Sequence, residues 1–305
     1  GYAPMETCCI LYNPKAGNGR GLNEARRLDS IWSGKSLDYI DVTTIADIRA
    51  YLDSLPADTT VVLAGGDGTL NHFINDMGGE APARDIYYFA AGSGNDFLRD
   101  AERTRDDPPF LLNPYLQNLP TVTVNGMTRY FLNGIGYGID GYCCEVGDKQ
   151  RLKSDKPVNY TAIAIKGLLF GYHRTLADVC VDGDTKAYRA VWLAPTMKGR
   201  FYGGGMMCAP GQNRLDPEGS VSTMVMTGRS KLKTLIVFPS IFKGGHIRHR
   251  EMVTIRPGHE VTVRFNRPTA LQIDGETVLG VTEYSVSTRK SVGAAEKSEA
   301  AVVAE

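Results

Sequence analysis

The chain lacks an excess of charge of either sign: among its 305 residues, Lys plus Arg number 34 and Asp plus Glu number 34, so the formal net charge is zero. A nucleic-acid binder that relies on a global basic field is excluded by that balance, while local basic patches are not. Long hydrophobic runs are missing too. None approaches the roughly 20 residues that span a bilayer, and no secretory leader is visible at the start, so a cytoplasmic protein that meets membranes only peripherally is expected. The cysteines are Cys8, Cys9, Cys143, Cys144, Cys180 and Cys208, none at C-x-x-C spacing. Reduced, mostly buried thiols fit that pattern better than a disulfide framework or a zinc site. Two nucleotide fingerprints are absent as well. The glycines at 17, 19 and 21 miss G-x-G-x-x-G because position 22 is Leu22, and Gly34-Lys35-Ser36 copies only the end of a P-loop because Asp29 stands where its first glycine belongs. There is no internal repeat.

What is present centres on Val61 to Asn71, Val-Val-Leu-Ala-Gly-Gly-Asp-Gly-Thr-Leu-Asn. Four apolar residues suit a buried parallel strand, and the glycine-rich run after them suits a tight turn opening a helix near Leu70. Glycines there let backbone N–H groups approach a bulky anion, and the helix N-terminus adds its dipole, so the turn is a candidate phosphate seat. On this reading Gly66→Ala nearly abolishes phosphate binding and leaves the fold largely intact. Asp67 beside a phosphate makes sense with a metal, a bound water or a hydroxyl to orient. A glycine turn with Asp67 as helix cap is the plainer alternative.

At 305 residues the chain is long enough for two cores, since single domains typically run about 100 to 200 residues. Thr7 to Tyr12 reads as a strand, followed by the loop Asn13-Pro14-Lys15-Ala16-Gly17-Asn18-Gly19-Arg20-Gly21 and a helix from about Leu22 to Trp32. Leu37 to Thr43 reads as a second strand and Ile45 to Leu55 as a helix. Ile86 to Ala90 is a further apolar run, ending in Ala91-Gly92-Ser93-Gly94-Asn95-Asp96-Phe97. Strands alternating with helices imply a parallel sheet with its ligand at the carboxyl ends of the strands, so three small-residue loops would share one rim.

After about Pro120 the pattern changes. Thr121 to Val124 and Met127 to Ile135 flank an Asn125-Gly126 turn, a strong hairpin signal. Short runs at 176–182, 186–194, 219–226, 252–256, 260–265, 270–273 and 283–287 suggest an antiparallel sandwich or barrel. Asp216 and Glu218 lie on a turn before one of these strands, where a solvated turn is the default reading. Asp274 and Glu276 flank Gly275, where both carboxylates can point one way; closeness should push at least one pKa upward, as a general base requires. An ordinary hairpin tip would look the same.

Together, Asn13-Pro14-Lys15-Ala16-Gly17, Gly65-Gly66-Asp67-Gly68-Thr69-Leu70-Asn71, Gly92-Ser93-Gly94-Asn95-Asp96-Phe97 and Asp274-Gly275-Glu276 resemble the diacylglycerol kinase catalytic-domain family, which includes bacterial lipid kinases and sphingosine kinases. The second motif alone is shared with NAD kinases and phosphofructokinases; the order and spacing of all four carry the resemblance, over roughly Thr7 to Ser287. It implies an N-terminal three-layer α/β nucleotide-binding domain over 1–120, joined by a last strand near 281–290. An antiparallel β-sandwich domain over 121–280 would carry substrate and metal elements, with a polar tail at 291–305. It also implies ATP-dependent phosphorylation of a lipid hydroxyl, diacylglycerol-like or related, in a cleft between the domains. Asn13, Pro14, Lys15, Ala16, Gly17, Thr43, Gly65, Gly66, Asp67, Gly68, Thr69, Leu70, Asn71 and Ser93 would hold ATP. Asp67 and Asp96 would join a magnesium and water network with Asp140 and Lys166. Glu276 would accept the proton, with Asp274 its neighbour and Asp67 the rival base.

The resemblance has one departure. The family has Asp-Asp-Gly or Asn-Asp-Gly at a structural Mg²⁺, whereas this chain reads Leu215-Asp216-Pro217-Glu218-Gly219: counting from the glycine makes Glu218 the ligand, and identity favours Asp216. The implied partners are a lipid substrate and a peripheral membrane contact, without nucleic acid; a homodimer is left open. Docking is expected at Lys231 to Lys243, where cations alternate with Leu232, Leu235, Ile236, Phe238 and Phe242, and at a second cluster from Lys149 to Lys156; packing of that apolar stripe into the core is the competing reading. Two other functions compete. An NAD kinase would need a Gly-Ser-Thr-Ala-Tyr-like element, which is not found, and a nucleotide-binding regulator would keep the fold without turnover.

Overall fold

The computed structural model describes residues 5–138, 149–150, 153, 159, 162–163, 166 and 173–288. The chain divides into two compact units between Gln117 and Asn118.

In the first unit, Thr7–Tyr12 (β1), Ser36–Asp41 (β2), Thr60–Gly65 (β3) and Ile86–Ala90 (β4) pair in parallel in the order β2-β1-β3-β4. Phe110–Leu111 (β5) adds an antiparallel edge to β4. The central strands are near-continuous apolar runs because both faces are covered; Cys8, Ile10, Val62 and Ala64 of β1 and β3 share a core with Ala25, Leu28 and Phe89. The helical pieces are Ala16–Gly19 (α1), Gly21–Ala25 (α2), Leu28–Ile31 (α3), Ile48–Ser54 (α4), Asp67–Asp76 (α5) and Asp96–Asp100 (α6).

The helix read at 22–32 is therefore two short ones, α2 and α3, interrupted at Arg26 and Arg27, and Arg27 turns its guanidinium onto backbone carbonyls elsewhere. Helix α5 starts at Asp67, three residues ahead of Leu70, because the extended Gly66 serves as its N-cap. Strand β2 stops at Asp41, whose carboxylate caps the following turn over Val42–Thr44.

Among the described residues the second unit is antiparallel. Its strands are Thr121–Val124 (β6), Met127–Tyr130 (β7), Gly134–Tyr137 (β8), Thr175–Val181 (β9), Asp184–Leu193 (β10), Thr196–Met197 (β11), Val221–Thr227 (β12), Val253–Gly258 (β13), Glu260–Ile273 (β14) and Glu276–Ser287 (β15). They run β7-β6-β15-β14-β8-β11-β12-β10-β9, with β13 on β12, and β9 pairs back onto β14, so the hydrogen-bond path closes on itself. Asn125 and Gly126 take φ of 50° and 77°, the left-handed pair that a two-residue hairpin turn requires. Inside lie Val122, Phe131, Tyr137, Val179, Val263 and Tyr284. A second cluster, built on Trp192, Met224 and Met226, receives Val237 from the helix Lys231–Val237 (α7), then Phe238 and Ile241. Among the described residues no helix is long and apolar enough to cross a membrane.

Two expectations change here. The runs read separately at 260–265 and 270–273 are one strand of 14 residues, β14, whose register shifts between Arg264 and Leu271. Pro268 lies in that irregular stretch, where a missing N–H costs no ladder bond. The last strand does not join the first unit: β15 pairs with β14 and β6, because the Asp274-Gly275 turn, with φ of 48° and 89°, folds it straight back.

Candidate active site

Because β1, β3 and β4 are parallel neighbours, the loops after them leave one rim, and the glycines interlock there. A Cβ on Gly92 would lie 2.3 Å from Gly66 N and 2.4 Å from Gly66 Cα, and one on Gly66 would lie 3.2 Å from Gly92 Cα and from Gly94 N and O. Gly17 faces Ala91 O and Gly92 Cα at 3.8 and 4.0 Å on the same construction, and Asn13 Nδ2 donates to Thr69 Oγ1 at 3.3 Å. Gly66 therefore lacks a side chain so that two loops can touch backbone to backbone. That corrects the expectation that its Cβ would intrude only on a phosphate.

Asp67 does cap a helix, and the helix is α6. Its Oδ2 accepts the Asp96 N–H at 2.8 Å and its Oδ1 the Phe97 N–H at 3.2 Å, so a carboxylate of the second loop holds the third. Tyr88 donates to Gly65 O at 2.7 Å; full burial, with Asp67 adding to it, holds its phenol well above the ordinary tyrosine pKa. Asn71 and Thr69 are buried on α5, and Leu70 lies in the core.

The third loop has a brace that sequence reading missed. Arg27 donates to Ala90 O and to Arg105 O, Arg105 donates to Gly92 O at 2.6 Å, and Glu24 Oε2 pairs with both guanidinium groups at 3.2 and 2.7 Å. Nothing local in the sequence signals this, since the targets are carbonyls.

The open side of the rim is the candidate phosphate seat. Gly68, exposed in the first turn of α5, has nothing within 4 Å of where a Cβ would stand. Asn95 Oδ1 is buried with no hydrogen-bond partner among the described residues. Lys15 and Ser93 are exposed at the tips of the first and third loops, and Pro14 and Ala16 flank Lys15 half-buried. Thr43 is exposed beyond β2, and its N and Oγ1 both bond Asp41 Oδ1, at 2.8 and 2.6 Å.

In the second unit Asp274 and Glu276 do not share surroundings. Asp274 is buried, and its carboxylate accepts the N–H groups of Leu132, Asn133 and Gly134 at 2.7, 2.8 and 3.1 Å. Glu276 is exposed and pairs with Arg129 Nη1 at 3.0 Å. The expected mutual push on two adjacent carboxylates is replaced by a division of roles, one side chain anchoring a strand entry and the other facing solvent. Asp140 lies outside the described residues, and Lys166 is exposed.

A structural Mg²⁺ does not fit the 213–219 turn. Asp216 Oδ1 accepts Glu218 N at 3.0 Å and its Oδ2 faces Ser220 Oγ at 3.5 Å, an Asx-type turn closed on itself. Glu218 is exposed, and Asp96 lies in the other unit's loop, 3.9 Å from Arg99 Nη1. No group of three His, Cys, Asp or Glu side chains suited to a metal occurs among the described residues. Buried beside the turn are two cations instead, Arg214 and Lys198.

The comparisons with known proteins agree with this geometry. Residues 7–124 match the diacylglycerol kinase catalytic domain, and residues 133–289 match the YegS C-terminal NAD kinase beta sandwich-like domain. Proteins named diacylglycerol kinase from two strains of Mycobacterium tuberculosis are each 24% identical over 257 residues, covering 81% of this chain and 81% of theirs. The crystal structure of a diacylglycerol kinase from Bacillus anthracis has the same fold, with a TM-score of 0.62 at 16% identity over 94% of this chain and 95% of that one. With the catalytic-domain pattern on its parallel sheet and the sandwich pattern on its closed antiparallel one, the chain belongs to the diacylglycerol kinase family of phosphotransferases.

Proposed function

We propose that this protein transfers the terminal phosphoryl group of ATP to the hydroxyl of a diacylglycerol-like lipid at a membrane surface. The single observation that carries the reading is the interlock of three glycine loops around the N-terminus of α5, which leaves Gly68 exposed with nothing within 4 Å of where a Cβ would stand. ATP with Mg²⁺, when bound, supplies the phosphoryl group and neutralises charge that spreads over its oxygens. The chain's own work is to hold those phosphates on the amides at the start of α5 and on the Lys15 ammonium, without reorganisation as charge develops.

For the proton of the attacking hydroxyl, Glu276 is the proposed acceptor. Its carboxylate is exposed and carries one guanidinium contact, whereas both oxygens of Asp67 already accept backbone N–H groups. Asp274 positions the 132–134 segment through three amides and is assigned no proton transfer.

Action at a membrane is supported by α7. Most of the apolar stripe from Lys231 to Lys243 is core, with Val237, Phe238 and Ile241 buried and Leu235 and Phe242 packed against the cluster. Leu232 and Ile236, one helical turn apart, are left 69% and 70% exposed, with exposed Lys231 and Lys233 on the same helix, Lys233 paired with Glu251 at 3.1 Å, and exposed Lys243 farther along the chain. Apolar residues within a cationic rim suit an anionic leaflet. Of the second basic cluster, Lys149 and Lys153 are exposed, while Arg151 and Lys156 lie outside the described residues.

The test is transfer of labelled phosphate from ATP into a total lipid extract, with mass spectrometry of the products. A phosphorylated lipid is expected. ATP bound without transfer to any lipid would leave a regulator, and phosphorylation of NAD in its place would leave an NAD kinase.

A further inference from the structure

Between β11 and β12 the second unit buries more positive charge than a sandwich core needs. Lys198 is 2% exposed, yet its Nζ has no hydrogen-bond partner among the described residues. Arg214 is 6% exposed and donates to Leu132 O at 3.3 Å and to Asn133 Oδ1 at 2.9 Å. Both residues grip the same three-residue segment: the N–H groups of Lys198 and Gly199 donate to Asn133 O at 2.9 and 3.0 Å, while Asp274 takes the amides of 132–134 from the other side. Gln212 ties the group to the 213–219 turn by donating to Lys198 O and Ser220 O at 3.2 and 2.8 Å. The charged groups that act on the Lys198 ammonium are Arg214 and Asp216, the second being one of the two carboxylates that family resemblance offers to a metal.

Two buried cations and two anchoring carboxylates, Asp274 and Asp216, already balance. A divalent ion added there would find no uncompensated negative charge to offset its loss of hydration in a low-dielectric interior. Asp216 has also turned one oxygen onto the Glu218 amide.

We propose that this chain has no divalent-metal site at the 213–219 turn and that the Lys198 ammonium, assisted by Arg214, occupies the ion's electrostatic place. Burial and the neighbouring guanidinium lower the Lys198 pKa from 10.5 to about 8, against the pull of Asp216, which still leaves the ammonium the main form at neutral pH. The magnesium need of any phosphoryl transfer then belongs to the nucleotide alone. Nothing in the inference depends on which molecule is phosphorylated.

The experiment counts ions on the nucleotide-free full chain by calorimetric titration with Mg²⁺ and, separately, Mn²⁺. Wild type and the Asp216→Asn/Glu218→Gln variant are expected to take up the same number, and wild-type Tm is expected not to differ between millimolar Mg²⁺ and EDTA by more than it does in that variant. One additional ion on wild type, or a Mg²⁺-dependent rise in Tm that the double variant loses, overturns the proposal. Lys198→Ser removes the ammonium and opens its volume, so it should gain an ion that a further Asp216→Asn removes. A folded Lys198→Ser protein that gains none would show that the ammonium is not what stands in the ion's place, and would overturn the substitution. Should Lys198→Ser fail to fold, the comparison of wild type with the carboxamide variant decides alone.

Discussion

Replacing three glycines of the rim by alanine should give three outcomes that differ in sign. Gly92→Ala puts a Cβ 2.3 Å from Gly66 N, roughly 1 Å short of the 3.4 Å at which ordinary contact begins, and the obstacle is backbone on both sides. Overpacking of that kind costs about 3 kcal/mol where no side chain can yield. For a unit of this size that is a fall in Tm on the order of 10 °C. Gly66→Ala meets Gly92 and Gly94 at 3.2 Å, so a few tenths of an ångström of movement suffice and a smaller loss follows. Gly68→Ala meets nothing within 4 Å in the first turn of α5. It should raise stability by up to about 1 kcal/mol, because alanine loses less backbone entropy in a helix, while weakening nucleotide binding by filling the open side. Calorimetric melting paired with ATP titration reads both effects. A Gly68→Ala protein that binds ATP like wild type refutes the phosphate seat at α5, and a Gly92→Ala protein that melts like wild type refutes the interlock.

Glu276→Gln should leave ATP affinity unchanged and lower kcat by about 10²-fold or more; if turnover survives it and is lost in Asp67→Asn assayed well below that variant's own Tm, the base is Asp67. Asp67→Asn is itself expected to lower Tm, because the Asp96 and Phe97 amides lose a charged acceptor. Lys198 sets a pH dependence: the unfolded chain holds its proton to 10.5 and the folded one releases it above about 8, so the penalty of burying the charge is complete below pH 8 and relieved toward 10.5. Stability of wild type relative to Lys198→Met should thus rise between those limits by an amount on the order of 3 kcal/mol, and a flat difference in denaturant unfolding across that window would contradict the burial. Neutralising Lys231, Lys233 and Lys243 together should weaken binding to anionic vesicles by roughly two decades at low salt; equal co-sedimentation of the folded variant would move the membrane contact to another surface.

The parallel sheet and its three loops were legible because the signals are local: an apolar run, then glycines, repeated after β1, β3 and β4. Legible too was the Asn125-Gly126 hairpin, since the turn needs residues that tolerate positive φ. What escaped was partner choice at long range. Asp274 and Glu276 are two residues apart and chemically alike, and only the tertiary path of 132–134 assigns one to backbone amides and the other to solvent. Arg27 and Arg105 look like surface cations in a sequence, yet their targets are the carbonyls of the third loop. Lys198, between Met197 and Gly199, reads as the start of a polar loop, and its burial depends on Arg214, Gln212 and Asn133, which come from elsewhere in the chain.

The closed hydrogen-bond path of the second unit has a consequence for synthesis on the ribosome. Strand β6 leaves the exit tunnel early and pairs at once with β7, yet its other sheet partner is β15, and the Thr121–Ser287 contact spans 166 positions. Strand β9 likewise waits for β14 before its second edge is paired. The first unit, whose β1 to β5 all precede Gln117, can complete its sheet as soon as it emerges. Domains fold as units during synthesis, and closing long loops before contacts repay them slows folding. The nascent chain should therefore carry a finished first unit while the sandwich half exposes unpaired strand edges until the last strand arrives, which makes the second half the segment that a chaperone would hold.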